Sequence, residues 1–173
     1  MLHATVELLR EGGLRAAAPA AIADRAGAGK MSLYRHFGGK DELVTEALRD
    51  YAPAQLDAVL GPEGDGDPRR RVLAIFDRIA RLADEGVLTP CIYLTTRLEV
   101  ADAGHPTAPV SAEYKRSVAD ELARWLRKLG HAEPERTANV ISMLMDGAIE
   151  HSIIAGDSGP ARDARAAVET LLG

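Results

Sequence analysis

Apolar residues recur every three to four positions along most of the chain, and the strict alternation of a half-buried strand is missing. Leu2, Val6 and Leu9 share one helical face before Gly12-Gly13 interrupts the run. Pro19 suits a first helical turn, and Ile22, Ala23 and Ala26 form an apolar side that Gly27 ends. Residues 27–29, Gly-Ala-Gly, read as a tight turn. The spacing then predicts a helix over Lys30–Phe37, with Leu33, Tyr34 and Phe37 inward and Gly38-Gly39 as the stop. A longer helix follows at about 40–60, carrying Leu43, Ala47, Leu48 and Tyr51 on one side. Its early Asp41 and Glu42 suit the positive end of the helix dipole.

Residues 61–68, rich in Gly, Pro and Asp, predict a turn or short linker. Further helices are predicted at about 68–85, 90–102, 109–129, 134–155 and 161–172, with breaks at 103–109, Gly130 and 157–160. The fold class is therefore all-α, without repeats or low-complexity tracts. The helix at 134–155 is apolar over more than one face, which a small domain cannot cover internally. It predicts a homodimer built mainly from residues 134–172, with Ala148, Ile149 and Ile153 as interface candidates.

Composition narrows this picture. The 173 residues suit one domain or a small module fused to a larger one, and 27% charged residues exclude wholesale disorder. No apolar run approaches the roughly 20 residues that span a bilayer, and no signal peptide is visible at the start, so the reading is no membrane partner. The one cysteine, Cys91, cannot close a disulfide within the chain; it reads as a small buried hydrophobe in a protein of the cytoplasm. The net charge of −5 argues against nucleic acid, but its distribution does not. Residues 10–40 carry six basic and two acidic side chains, so the remaining residues hold a balance of −9. A basic front on an acidic body fits a polyanion-binding surface, and charge alone fits the solvated face of a helix equally well.

The short helices at 19–26 and 30–37, joined by a glycine-containing turn, have the build of a helix-turn-helix, whose second helix lies in the DNA major groove. Lys30, Met31, Ser32, Arg35 and His36 stay on its outer side. Catalysis has no named nucleophile: no G-x-S-x-G, phosphate loop or cysteine–histidine signature is present. The histidines are scattered, and Glu99-Asp102-His105 and Asp146-Glu150-His151 read as solvated or pocket polar groups rather than metal ligands. The chain is thus read as a non-enzyme with no cofactor and no metal.

Gly13, Ile22-Ala23, Ala26-Gly27, Lys30, Leu33-Tyr34-Arg35-His36-Phe37, Lys40 and Leu43 resemble, without a gap, the N-terminal signature of the TetR family of bacterial transcriptional regulators. The resemblance implies a DNA-binding domain at 1–51 and a helical-bundle effector-binding and dimerisation domain at 52–173. It implies a homodimer on a palindromic double-stranded DNA operator, most simply a repressor, released by a small-molecule effector. Carried over residue by residue, it assigns DNA contacts to Lys30, Ser32, Tyr34, His36 and Lys40, with Lys40 and the helix start it opens holding one phosphate. Met31 and Ser32 are placed for base edges or a thymine methyl, and Arg35 for a guanine or a phosphate. Two departures stand out. Ala17-Ala18 replaces the threonine pair that caps the second helix, and Ala28-Gly29 replaces the usual valine and serine of the turn.

Helical bundles hold ligands between helices, behind apolar walls with a few polar groups. Phe76, Ile79, Tyr93, Leu94, Arg97, Tyr114, Trp125, Met143 and Asp146 are the expected lining of such a cavity. That mixture suits a small hydrophobic or aromatic effector with one polar handle. The alternative function is a helical small-molecule sensor or sequestering protein with little DNA affinity.

Overall fold

A computed structural model describes residues 1–61, 66–100 and 102–173. Among them are nine α-helices and no strand. They are α1 (Leu2–Ala16), α2 (Pro19–Arg25), α3 (Lys30–Phe37), α4 (Lys40–Leu60), α5 (Pro68–Asp84), α6 (Ile92–Glu99), α7 (Thr107–Lys128), α8 (Pro134–Ala155) and α9 (Gly159–Leu171). The interior of the linker expected at 61–68 and Ala101, at the end of the expected 90–102 helix, lie outside the described residues.

The boundaries follow local chemistry. α3 runs between Gly29 in extended conformation and Gly38 at φ 82°. Pro134 opens α8, and Gly156, left-handed at φ 74°, closes it. At α5 the Asp67 carboxylate accepts the Arg69 N–H at 3.1 Å, a side-chain N-cap followed by Pro68 in the first turn. α1 differs from the expectation of a stop at Gly12-Gly13. The helix breaks there, with Gly13 at φ 63° and ψ −156°, and one more turn follows to Ala16. α6 is shorter than predicted, and α7 starts two residues early, at Thr107.

The chain divides into two compact units. The first contains Met1–Gln55 and Cys91–Tyr114, the second Leu56–Pro90 and Lys115–Gly173. Compactness therefore draws its line differently from a single cut after residue 51. α6 and the first part of α7 fold with the N-terminal helices.

The first unit buries Val6, Leu8 and Leu9 of α1, Ile22 of α2, Leu33 of α3 and Leu43, Val44, Ala47 and Leu48 of α4. Tyr93 of α6 is also fully buried and donates its hydroxyl to the Leu48 carbonyl at 2.8 Å. Burial pushes that phenol's pKa upward, which keeps it a neutral donor. Its ring stacks on Tyr114, with centroids 3.8 Å apart and planes at 11°. The second unit buries Val72, Ile75 and Phe76 of α5, Leu122, Trp125 and Leu126 of α7, Ile141 and Met145 of α8, and Val168 of α9. The Arg69 guanidinium ties α5 to the last turn of α9 through the carbonyls of Leu172 (3.2 Å) and Gly173 (2.6 Å).

Candidate nucleic-acid interface

The turn between α2 and α3 is built by backbone chemistry. Gly27 adopts φ 60°, a conformation most side chains resist, and so reverses the chain after Ala26. The Ala28 N–H then returns to the Ala23 carbonyl at 2.9 Å, closing the end of α2. Ile22 and Leu33, both fully buried, anchor α2 and α3 to the core from either side of this turn. Neither helix has a side-chain N-cap: Ala18 and Gly29 occupy those positions. Alanine at the cap of α2 costs about 1 kcal/mol relative to Ser or Thr, and glycine at the cap of α3 only a few tenths.

Anchoring through Leu33 turns the rest of α3 outward. Met31 is 77% exposed, and Lys30, Arg35 and His36 are exposed as well. The side chains of these three make no hydrogen bond or ion pair within the chain among the described residues. Ser32 and Phe37 are half-buried. Tyr34, expected to face inward, is 43% exposed. It lies one position past Leu33, and on an eight-residue helix with a single buried anchor that step rotates its ring to the rim.

Two basic residues counted in the front are engaged elsewhere. Arg25 of α2 forms a paired hydrogen bond with Glu11 of α1, at 2.9 and 3.0 Å, with Glu7 at 3.5 Å. Arg10 donates to the Tyr51 hydroxyl at 3.3 Å. Lys40, half-buried at the start of α4, donates to the Leu14 carbonyl at 2.6 Å. Beside it, Asp41 lies 3.4 Å from His105 Nε2, and His105 Nδ1 meets the Thr107 hydroxyl at 2.9 Å.

The Glu11–Arg25 pair carries a pH prediction. The hydrogen bonds from Arg25 hold the Glu11 carboxyl below the ordinary carboxylate range, against a smaller opposing effect of desolvation. A depressed pKa contributes stability that is present above the unfolded value and is lost as pH falls through the folded one. Glu11→Gln should therefore lower the urea midpoint slightly at pH 7, and the difference from wild type should shrink as pH falls through the carboxylate range. A difference that does not change as pH falls would show that the ion pair is not the cause.

Comparison with known proteins agrees with this geometry. The family model described as "Bacterial regulatory proteins, tetR family" matches residues 1–47, and "Tetracyclin repressor-like, C-terminal domain" matches residues 105–173. The chain belongs to the TetR family. It is 33% identical over 130 residues to the HTH-type transcriptional repressor KstR2 of Rhodococcus jostii, covering 75% of this chain. It spans about half the length of that relative, 55%. A putative TetR transcriptional regulator from Streptomyces avermitilis superposes with a TM-score of 0.83 at 27% identity, over 97% of this chain and 95% of the other. NemR of E. coli, in its reduced form, shares the fold with a TM-score of 0.85 at 22% identity, over 98% and 93% of the two chains.

The TetR-family chain places the expected effector residues unevenly. Tyr93, Leu94, Arg97 and Tyr114 belong to the first compact unit, and Phe76, Ile79, Trp125, Met143 and Asp146 to the second. Phe76, Ile79 and Trp125 are buried in the packed interior of the second unit. Arg97 donates to the Val100 carbonyl at 2.6 Å, and Leu94 is half-buried. Asp146, expected in the lining, is paired with Lys115 at 2.5 Å. Met143 is 65% exposed and lines an open groove of about 580 Å³ between α8 and α9, with Gly147, His151, Pro160 and Asp163.

Of the interface candidates of this TetR-family protein, only Ala148 lines that groove. Ala148 lies on the groove floor but is buried within the protomer, because α9 packs over it. Ile149 is half-buried and Ile153 is 39% exposed. Ile154, which the sequence reading did not single out for an interface, is 81% exposed. Helical spacing puts it on the Met143–Gly147 stripe, and that spacing was the signal available to find it. Among the described residues no group of three or more histidines, cysteines and carboxylates could hold a metal ion, and no helix is long and apolar enough to cross a membrane.

Proposed function

We propose that this protein is a DNA-binding transcriptional regulator, most simply a repressor, acting in the cytoplasm as a homodimer on a palindromic operator. The observation that carries the reading is α3. One buried leucine fixes it, while Lys30, Met31, Arg35 and His36 stand free on its outer side next to Lys40. Tyr34, His36 and Lys40 are assigned to phosphates, Lys30 to a further DNA contact, Met31 and Ser32 to base edges or a thymine methyl, and Arg35 to a guanine or a phosphate. Residues 1–51 would carry this activity and 52–173 effector binding and dimerisation. The effector would be a small hydrophobic or aromatic molecule with one polar handle. The test is a gel-shift titration on the promoter region beside the protein's own gene, against a random duplex of equal length. A preference of at least tenfold is expected; equal binding to both would remove the operator reading.

The dimer is read from the α8–α9 groove, which Met143 lines, and from the exposed apolar side chains of Ile153 and Ile154 further along α8. Patches of this kind on a small chain are covered by a partner. Light scattering at micromolar concentration should give twice the 18.5 kDa chain mass, and Ile154→Glu should return it to one chain mass. A wild-type monomer would refute this assembly.

A second reading, a sensor or sequestering protein with little DNA affinity, draws on the uncapped starts of α2 and α3 and on the tie between Lys40 and Leu14. It predicts ligand-dependent thermal stabilisation without a gel shift on any duplex.

A further inference from the structure

The turn that ends α1 is held on both sides by side chains from distant helices. Gly13, at φ 63°, redirects the backbone so that the Leu14 N–H meets Oε2 of Glu99 at 2.7 Å. Glu99 is the last residue of α6, 85 positions along the chain. The Leu14 carbonyl, on the other side of the same residue, accepts from Lys40 Nζ at 2.6 Å. The carboxylate lies directly against Gly13, where a Cβ would lie 1.9 Å from Glu99 Oε1. The carboxylate thus occupies the space that only glycine leaves, and it caps an N–H at the start of the short turn 14–16.

We propose that Glu99 is a positioning residue for DNA binding: by fixing the Leu14 turn, it holds the Lys40 ammonium at the start of α4, where a phosphate is bound. The inference rests on the regulator reading above and adds to it a residue outside the helix-turn-helix. A free lysine loses its rotamer freedom when it meets a phosphate, and one already held in place loses less. An ammonium has three donors, so the bond to Leu14 leaves two for the DNA. Glu99 acts through the backbone of Leu14 and does not itself touch the nucleic acid. Repulsion between a carboxylate and DNA would give the opposite sign on its removal.

The experiment uses the full chain and a fluorescein-labelled random 30-base-pair duplex, because the Lys40 contact is independent of sequence. Glu99→Ala should weaken binding three- to tenfold and leave the thermal midpoint within a few degrees of wild type. Glu99→Gln, which keeps an acceptor oxygen, should recover most of that loss. In a Lys40→Ala background, Glu99→Ala should cause no further loss, since a positioning effect disappears with the group positioned. Hydrogen exchange at the Leu14 amide should quicken at least tenfold in Glu99→Ala. Additive losses, tighter binding by Glu99→Ala, or unchanged exchange at Leu14 in a chain that binds the duplex would each overturn the inference alone. Failure of the wild-type chain to bind any duplex would instead overturn the regulator reading, and this inference with it.

Discussion

Raising the salt concentration from about 50 to about 200 mM should weaken the protein's complex with duplex DNA by about three to four orders of magnitude. The chain is net acidic at −5, so attraction to DNA must come from a local surface. Arg25 is neutralised by Glu11, and Arg10 is turned to Tyr51. Arg15, Lys30, Arg35 and Lys40 remain, all in or beside the helix-turn-helix. Two copies offer roughly 6–8 phosphate contacts, and each released counterion contributes about 0.9 to the log–log slope, giving about −5 to −7. Lys40→Ala should weaken binding to every sequence and flatten the slope by about two in a dimer. Arg35→Ala should cost about 1–3 kcal/mol per half-site and relax preference at one base position. Fluorescence titrations at several salt concentrations decide the matter. A wild-type slope shallower than about −2 would mean that this face does not meet the phosphate backbone.

Trp125→Ala should destabilise the protein by about 3–5 kcal/mol, the usual cost of removing a large aromatic from a packed interior. Trp125 is 2% exposed on α7, and the Arg71 guanidinium lies 4.1 Å from the centre of its ring. The substitution opens a void among buried side chains and leaves that guanidinium without its aromatic surface. The losses add because one is apolar transfer and the other electrostatic. Trp125→Phe keeps most of the volume and should cost less than half as much. Urea unfolding followed by far-ultraviolet circular dichroism measures both. A loss below about 1 kcal/mol for the alanine variant would show that the side chain lines an adaptable space rather than a packed core.

These two outcomes draw on different kinds of information. The outward face of α3 was legible in the sequence because local rules decide it. Glycines at 29 and 38 bound α3, and the single apolar anchor Leu33 sets which face turns out. The same holds for α8, bounded by Pro134 and Gly156. Sequence periodicity specifies which face of a helix is buried, since that depends only on the order of residues along one turn.

It does not specify what the face is buried against. Lys40 meets the Leu14 carbonyl, Glu99 meets the Leu14 N–H, and Asp146 meets Lys115 through chain separations of 26, 85 and 31 residues. Each pair joins atoms whose hydrogen-bonding capacity is common to many residues, so no spacing rule singles out the partner. α6 folds in one unit with the N-terminal helices, although 35 residues stand between the two segments of that unit, because Tyr93 and Glu99 find their acceptor and donor there. The residues that can face DNA were therefore written into the local sequence. Which of those side chains is held, and by what, was decided only by the tertiary packing that brings distant backbone groups within hydrogen-bond reach.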